Sequence, residues 1–170
     1  MESLTLEEFR ALFRTHKDAI HLETHETYSV SQEDESFRRF LAGEPQDYSY
    51  REGYLGLVRE VTASGTTIRR ARVVTEPLND YARFLLHMAA DNVKAGEEVR
   101  YLTRDRTAGI SLPDNDCWLF DAEQLVLTSF EGRSTGFQIV IDPDQVHRYR
   151  EVCAEIWTRA VPYADYVNSR

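Results

Sequence analysis

The 170-residue sequence has only two cysteines, and neither stands in a CxxC pair or beside a cation that would lower a thiol pKa. That argues against a disulfide framework and against a zinc site of the usual spacing. Cys117 leads an apolar strand and Cys153 lies on the apolar face of the last helix, so both read as small buried hydrophobes, the other use of such residues being a disulfide or a reactive thiol. Glycine-rich phosphate loops are missing too: there is no GxGxxG, no Walker loop and no GxSxG elbow, which removes the signatures of dinucleotide, P-loop and α/β-hydrolase sites. Long apolar runs are absent, Phe84-Leu-Leu being typical of the longest, and the start Met1-Glu-Ser-Leu-Thr-Leu-Glu-Glu has no basic or apolar leader region. No membrane association is expected, and the chain reads as soluble and cytoplasmic. Positive charge is in short supply, with 20 Lys and Arg against 29 Asp and Glu, a net charge of −9. Such a surface repels a phosphate backbone, so no direct nucleic-acid binding is expected.

What is present fits one globular domain: 42% hydrophobic and 29% charged residues, with no repeat, low-complexity tract or flexible linker. Thr5-x-x-Glu8 is a capping box, and Leu6, Phe9, Leu12 and Phe13 behind it predict a first helix ending near His16. Ala19 to Val30 alternates with a period of two, Ile20 and Leu22 against His21, Glu23 and His25, which predicts a half-exposed edge strand. Helices are predicted over Ser31 to Ala42 and Tyr48 to Thr62, stopped by Gly43 and Gly65. A strand over Ile68 to Val74 carries Arg69, Arg70 and Arg72 amid apolar sequence. Pro77 is expected to open a helix to about Val93. Its apolar arc, widened by Phe84 and Met88, implies burial on two sides. A strand over Val99 to Leu102, a loop over Arg104 to Asn115 and three short strands over Cys117–Phe120, Leu125–Phe130 and Phe137–Ile141 follow, the last three forming an antiparallel meander. Asp142 and Pro143 start the final helix.

Three groups of residues could carry chemistry. His21-x-Glu23-x-His25 places two imidazoles and a carboxylate on one strand face, a candidate metal set, although the rise of about 6.6–6.8 Å between successive members is wide for one small ion. The alternative is a solvated edge-strand face, and no cofactor is expected. Asp114, Asp116 and Asp121 form an acidic cluster suited to a divalent ion or an acid/base pair, or else a polar turn entering a strand. Arg69, Arg70, Arg72, Arg104 and Arg106 could hold a small anion, or pair with the excess carboxylates.

The strings Leu22-Glu23, Tyr28, Phe40-Leu-Ala-Gly43, Arg72-Val-Val-Thr-Glu-Pro-Leu78, Ala95-Gly-Glu97, Leu112-Pro-Asp114, Trp118-Leu-Phe-Asp121 and Ala160-Val-Pro162 resemble, over nearly the whole chain, an uncharacterised actinobacterial family. The resemblance implies no catalytic activity, and genes of that family commonly lie beside helix-turn-helix regulators. From Thr66 to Val161 the order of elements resembles half of a phospholipase D fold. Against that pattern Asp114 and Asp116 stand where active members carry the histidine nucleophile and the phosphate-binding lysine, with Asp121 at the aspartate.

The expected fold is therefore α/β: a mixed sheet flanked by helices, with a helical N-terminal lobe over 1–65 and a phospholipase D-like core over 66–162. The expected function is a non-enzymatic regulatory or protein-interaction module, accessory to a helix-turn-helix regulator. The alternative is an enzyme acting on a small molecule or phosphate ester through the 114–121 cluster. Asp114, Asp116, Asp121, Arg104 and Trp118 are the expected vestigial or ligand site, and Phe84 and Met88 the expected homodimer interface.

Overall fold

In the computed structural model, which describes residues 2–130 and 132–170, one mixed sheet organises the chain. Its strands are β1 (Glu2–Leu4), β2 (Asp18–Glu23), β3 (Thr67–Val74), β4 (Glu98–Thr103), β5 (Asn115–Phe120), β6 (Gln124–Phe130), β7 (Arg133–Val140) and β8 (Val161–Pro162). They lie in the order β1-β7-β6-β5-β2-β3-β4-β8. β2, β3 and β4 run parallel and every other pairing is antiparallel. Parallel neighbours need long crossovers, and helices supply them: α2 (Asp34–Ala42) and α3 (Glu52–Ala63) between β2 and β3, α4 (Asp80–Ala95) between β3 and β4. The remaining helices are α1 (Leu6–Thr15), α5 (Pro143–Arg159) and α6 (Tyr163–Asn168). None of the helices among the described residues is long and apolar enough to cross a membrane.

The α/β class, the mixed sheet and the meander of β5, β6 and β7 follow the sequence reading. The edge assignment of residues 19–30 does not: β2 sits between β3 and β5 in the middle of the sheet, and the strand stops at Glu23. Nor does a boundary at residue 65 divide the sheet, because β1 and β2 are part of it. The meander lies on one side of β2 and the parallel strands lie on the other.

Alternation along the strands gives the sheet two unlike faces. Ile20, Leu22, Ala71, Val73, Cys117, Leu119, Leu125 and Leu127 face α5, which meets them with Val146, Tyr149, Val152, Cys153 and Ile156. Asp142 caps that helix through the Asp144 N–H at 3.1 Å, with Pro143 in the first turn, as the sequence predicts. Both cysteines are buried free thiols in this layer, and burial, with Cys153 beside it, pushes the Cys117 thiol up. On the opposite face, α1 and α3 cover Ala19, Ile68, Trp118, Phe120 and Val126 with Phe9, Phe13, Leu57 and Val61. The capping box is formed as expected, with Glu8 N–H donating to Thr5 Oγ1 at 3.2 Å and Thr5 N–H to Glu8 Oε2 at 2.8 Å.

Further along that face, α4 and α6 cover Val74, Val99 and Tyr101. α4 starts at Asp80 under an Asn79 cap rather than at Pro77, which follows a cis peptide bond in the preceding loop. Its second apolar side is also covered: Tyr81, Phe84, Leu85 and Met88 pack against Tyr28, Phe37, Phe40 and Tyr48. This corrects the assignment of Phe84 and Met88 to a dimer interface. At 0% and 3% exposure they are buried within their own chain, because the broad apolar arc of α4 is shared between the sheet side and α2.

Candidate functional site

Between the α1/α3 cover and the α4/α6 cover, the same sheet face carries charge instead of hydrocarbon. His21 and Glu23 on β2, Arg70 and Arg72 on β3, and Asp116 and Trp118 on β5 all point to this side. The parallel register sets His21 opposite Arg70 and Glu23 opposite Arg72, and His21 also faces Trp118 across the antiparallel pair. Above them is a cavity of about 370 Å³. Leu85, Met88, Ala89 and Asn92 of α4 form its roof, Tyr50 and Arg51 one side, and Tyr28 and Glu33 the other. It lies towards the carboxyl ends of the parallel strands, beside the switch to antiparallel pairing. Open α/β sheets bind ligands in comparable places.

The floor is a closed charge network. Arg70 donates to Glu23, to Glu97 and, at 3.2 Å, to Tyr54 Oη. Arg72 Nη2 lies 2.6 Å from Glu23 Oε2. Glu97, 2% exposed, also accepts from Tyr54 Oη at 3.0 Å and Asn92 Nδ2 at 2.8 Å. Arg51 donates to Asn92 Oδ1 and to the Met88 carbonyl. His21 stacks flat on Trp118, with ring centroids 4.5 Å apart and planes at 9°. Its Nδ1 is 3.2 Å from Glu23 Oε1, ion-pair distance without hydrogen-bond alignment. Buried ions survive only when paired and hydrogen-bonded, and nearly all of these are. The exception is Arg72, whose Nε and Nη1 have no acceptor among the described residues although the residue is 8% exposed.

These surroundings shift the titrating groups. Burial pushes the Glu23 carboxyl up, but the facing Arg72 and Arg70 guanidiniums, with His21, outweigh it and hold the group well below the carboxylate range. Burial also opposes the charge on Arg70, and Glu97 and Glu23 more than restore it. Glu33 has no cation in ion-pair contact among the described residues: burial raises its pKa, and the Tyr81 hydroxyl, with the more distant Arg72 and Arg51, only partly offsets that. The hydroxyls of Tyr54 and Tyr28 are pushed up by burial and by the carboxylates they face.

The acidic cluster expected at 114–121 is not assembled. Asp114 is exposed, on a shallow surface beside Asp142, Asp144 and Arg148. Asp116 is buried on the cavity wall, accepting from the Thr24 N–H at 2.8 Å, Thr24 Oγ1 at 3.1 Å, Ser129 Oγ at 3.1 Å and the Tyr28 hydroxyl. Asp121, at a positive φ of 49°, accepts the N–H groups of Lys17 and Asp18 at 2.9 and 2.8 Å. It holds the β5–β6 turn to the start of β2 and takes no part in a site. Of the other expected residues, Trp118 is in the floor, while Arg104 lies outside the cavity, donating to the Thr24 carbonyl. The five arginines are split likewise: Arg69 points to the α5 side, paired with Asp18 at 2.6 Å and stacked at 5.2 Å on Trp157. His21 and Glu23 are together, but β2 ends before His25, whose Nε2 lies 3.7 Å from Asp116 Oδ1 instead. No three His, Cys, Asp or Glu side chains among the described residues group as a metal site. Sequence reasoning missed Arg51, Tyr54 and Glu97 as site residues: the first two fall inside the helix predicted over Tyr48 to Thr62, and Glu97 just before the strand predicted from Val99. The visible signal was charge at period two on both β2 and β3.

The chain belongs to the domain of unknown function DUF6879, whose model matches residues 7–168. That match agrees with the reading of the sequence as a member of an uncharacterised family. No curated protein matches the chain. In this DUF6879 chain one glycine helps to set the cavity wall. Gly132, at φ +72° between β6 and β7, accepts the Ser29 N–H at 2.9 Å, and a Cβ there would overlap the Thr27 carbonyl. The contact holds the 27–29 segment so that Tyr28 reaches Asp116. Gly132→Ala is expected to lose at least about 1–2 kcal/mol from the left-handed backbone alone, with the overlap in addition. Chemical denaturation measures this, and a change within ~0.5 kcal/mol would refute the clasp.

Proposed function

We propose that the protein is a non-enzymatic regulatory module of the cytoplasm: a small molecule occupies the cavity under α4, and a protein partner responds to the bound state. The family resemblance implies a helix-turn-helix regulator as that partner, and the net charge of −9 would steer a basic surface towards this chain. The observation that carries the reading is a formed recess of ligand size most of whose ionisable groups are already engaged with one another. The hydroxyls of Tyr28, Tyr54, Tyr81 and Ser129 donate to carboxylates, and among the described residues no hydroxyl or thiol lining the cavity is hydrogen-bonded to a histidine ring. Such a floor can recognise a ligand without being poised for a reaction. The phosphate-ester alternative finds no support in the separate placing of Asp114, Asp116 and Asp121.

Thermal unfolding of the full chain across a panel of amino acids, nucleosides, sugars and organic acids tests the reading. At a hundred times its Kd a ligand stabilises by about 2.7 kcal/mol, which is expected for at least one compound, recovered unchanged after incubation. Consumption of that compound would make the protein an enzyme, and stabilisation by none would remove the ligand. The isolated protein is also expected to show no tight, salt-sensitive binding to random duplex DNA.

A further inference from the structure

The unsatisfied groups of the cavity say which ligand suits it. Three guanidiniums, on Arg51, Arg70 and Arg72, line it with three carboxylates, on Glu23, Glu33 and Asp116. Glu97 adds a fourth carboxylate directly behind Arg70. A phosphate dianion would increase that excess of negative charge in a desolvated place. A simple cation would leave Arg72 as it is. A ligand carrying both signs preserves the balance.

Most of the network is saturated. Glu23 is held by two guanidiniums, Glu97 by three donors and Asp116 by four, and all three nitrogens of Arg70 are used. Two groups stand out. Arg72 lines the cavity with its side chain 10% exposed, and two of its nitrogens, Nε and Nη1, are buried with no acceptor among the described residues. Glu33 receives, among the described residues, only the Tyr81 hydroxyl; burial raises its pKa by more than that hydroxyl and the more distant Arg72 and Arg51 lower it, and among the described residues no cation is in ion-pair contact with it. A planar guanidinium with spare N–H groups suits a carboxylate, and an uncompensated carboxylate suits an ammonium. Leu85, Met88 and Ala89 provide an apolar roof for the rest of the molecule.

Resting on the ligand-binding reading above, we propose that the cavity binds a small zwitterion of amino-acid or dipeptide size, its carboxylate on Arg72, its ammonium on Glu33 and its apolar side chain under α4.

Calorimetry on the full chain tests this with phenylalanine and alanyl-phenylalanine as probes, against phenethylamine, 3-phenylpropionate and phenyl phosphate. At least one of the two zwitterions is expected to bind roughly 10- to 100-fold tighter than either half-charged analogue, the range a charge-assisted hydrogen bond provides. Arg72→Met should remove the preference for the carboxylate, phenylalanine then binding no tighter than phenethylamine. Glu33→Gln, a near-isosteric change at a half-exposed position, should remove the preference for the ammonium, phenylalanine then binding no tighter than 3-phenylpropionate. If Arg72→Met fails to fold, Glu33→Gln alone decides. Zwitterions that bind no tighter than their halves, or tightest binding by phenyl phosphate, would overturn the proposal while leaving a ligand site in place. Silence of all five probes would also overturn it, and the wider panel then decides the ligand-binding reading separately.

Discussion

Glu23→Ala is expected to destabilise the protein by about 3–5 kcal/mol, the range for removing one partner of a buried ion pair. The size follows from what is left behind. Arg70 would keep Glu97 and Tyr54, but Arg72 would lose its one ion-pair partner among the described residues and remain a buried cation with three nitrogens unmatched by them. A double variant, Glu23→Ala with Arg72→Met, removes both charges together. It should therefore be more stable than Glu23→Ala alone, although it carries one more substitution in the core. Urea denaturation of the two variants makes the comparison. A cost below ~1 kcal/mol for Glu23→Ala would mean that the network behaves as an exposed surface pair. A double variant weaker than the single would mean that Arg72 is held by packing and not by charge.

Much of the fold was legible in the sequence because local rules sufficed. The Thr5/Glu8 box, the Asp142-Pro143 start of α5 and the two-sided apolar arc of α4 are each decided within a few residues. The site was legible only in part, because its meaning depends on pairing between distant strands. His21-x-Glu23 looks like a solvated edge when read alone, and Arg70-x-Arg72 looks anomalous. Only the parallel register between β2 and β3, 47 residues apart at Glu23 and Arg70, shows that each compensates the other. Asp121 misled for the opposite reason: a carboxylate in a catalytic-looking string serves backbone N–H groups, a use no side-chain pattern discloses. β1 and α6, three and six residues long, are too short to show a period. Phe84 and Met88 were correctly read as surplus to one core face, but the cover is α2 and not a second copy.

The pH dependence of stability should carry the signature of the same network, with two carboxyls acting in opposite directions. Glu23 is held below its ordinary value of 4.5, so the unfolded chain binds its proton more readily. The stability it contributes is complete above pH 4.5 and is lost as pH falls through the folded-state pKa. Glu33 is raised above 4.5, so its charge opposes folding at neutral pH, and that cost is relieved as it protonates on the way down. The melting temperature should therefore hold level or rise slightly from pH 7 towards pH 5, then drop steeply below pH 4.5. Glu33→Gln should abolish the rise, and Glu23→Gln should flatten the drop from a lower starting stability. Exposed carboxylates with lowered pKa, Glu35 and Glu44 among them, also lose their partners in acid, but salt screens such pairs and leaves a buried one largely untouched. The drop should persist at roughly 0.5 M salt, well past the screening of surface pairs. A curve that already falls between pH 7 and pH 5, or an acid limb that salt removes, would locate the decisive charges on the surface and not beneath α4.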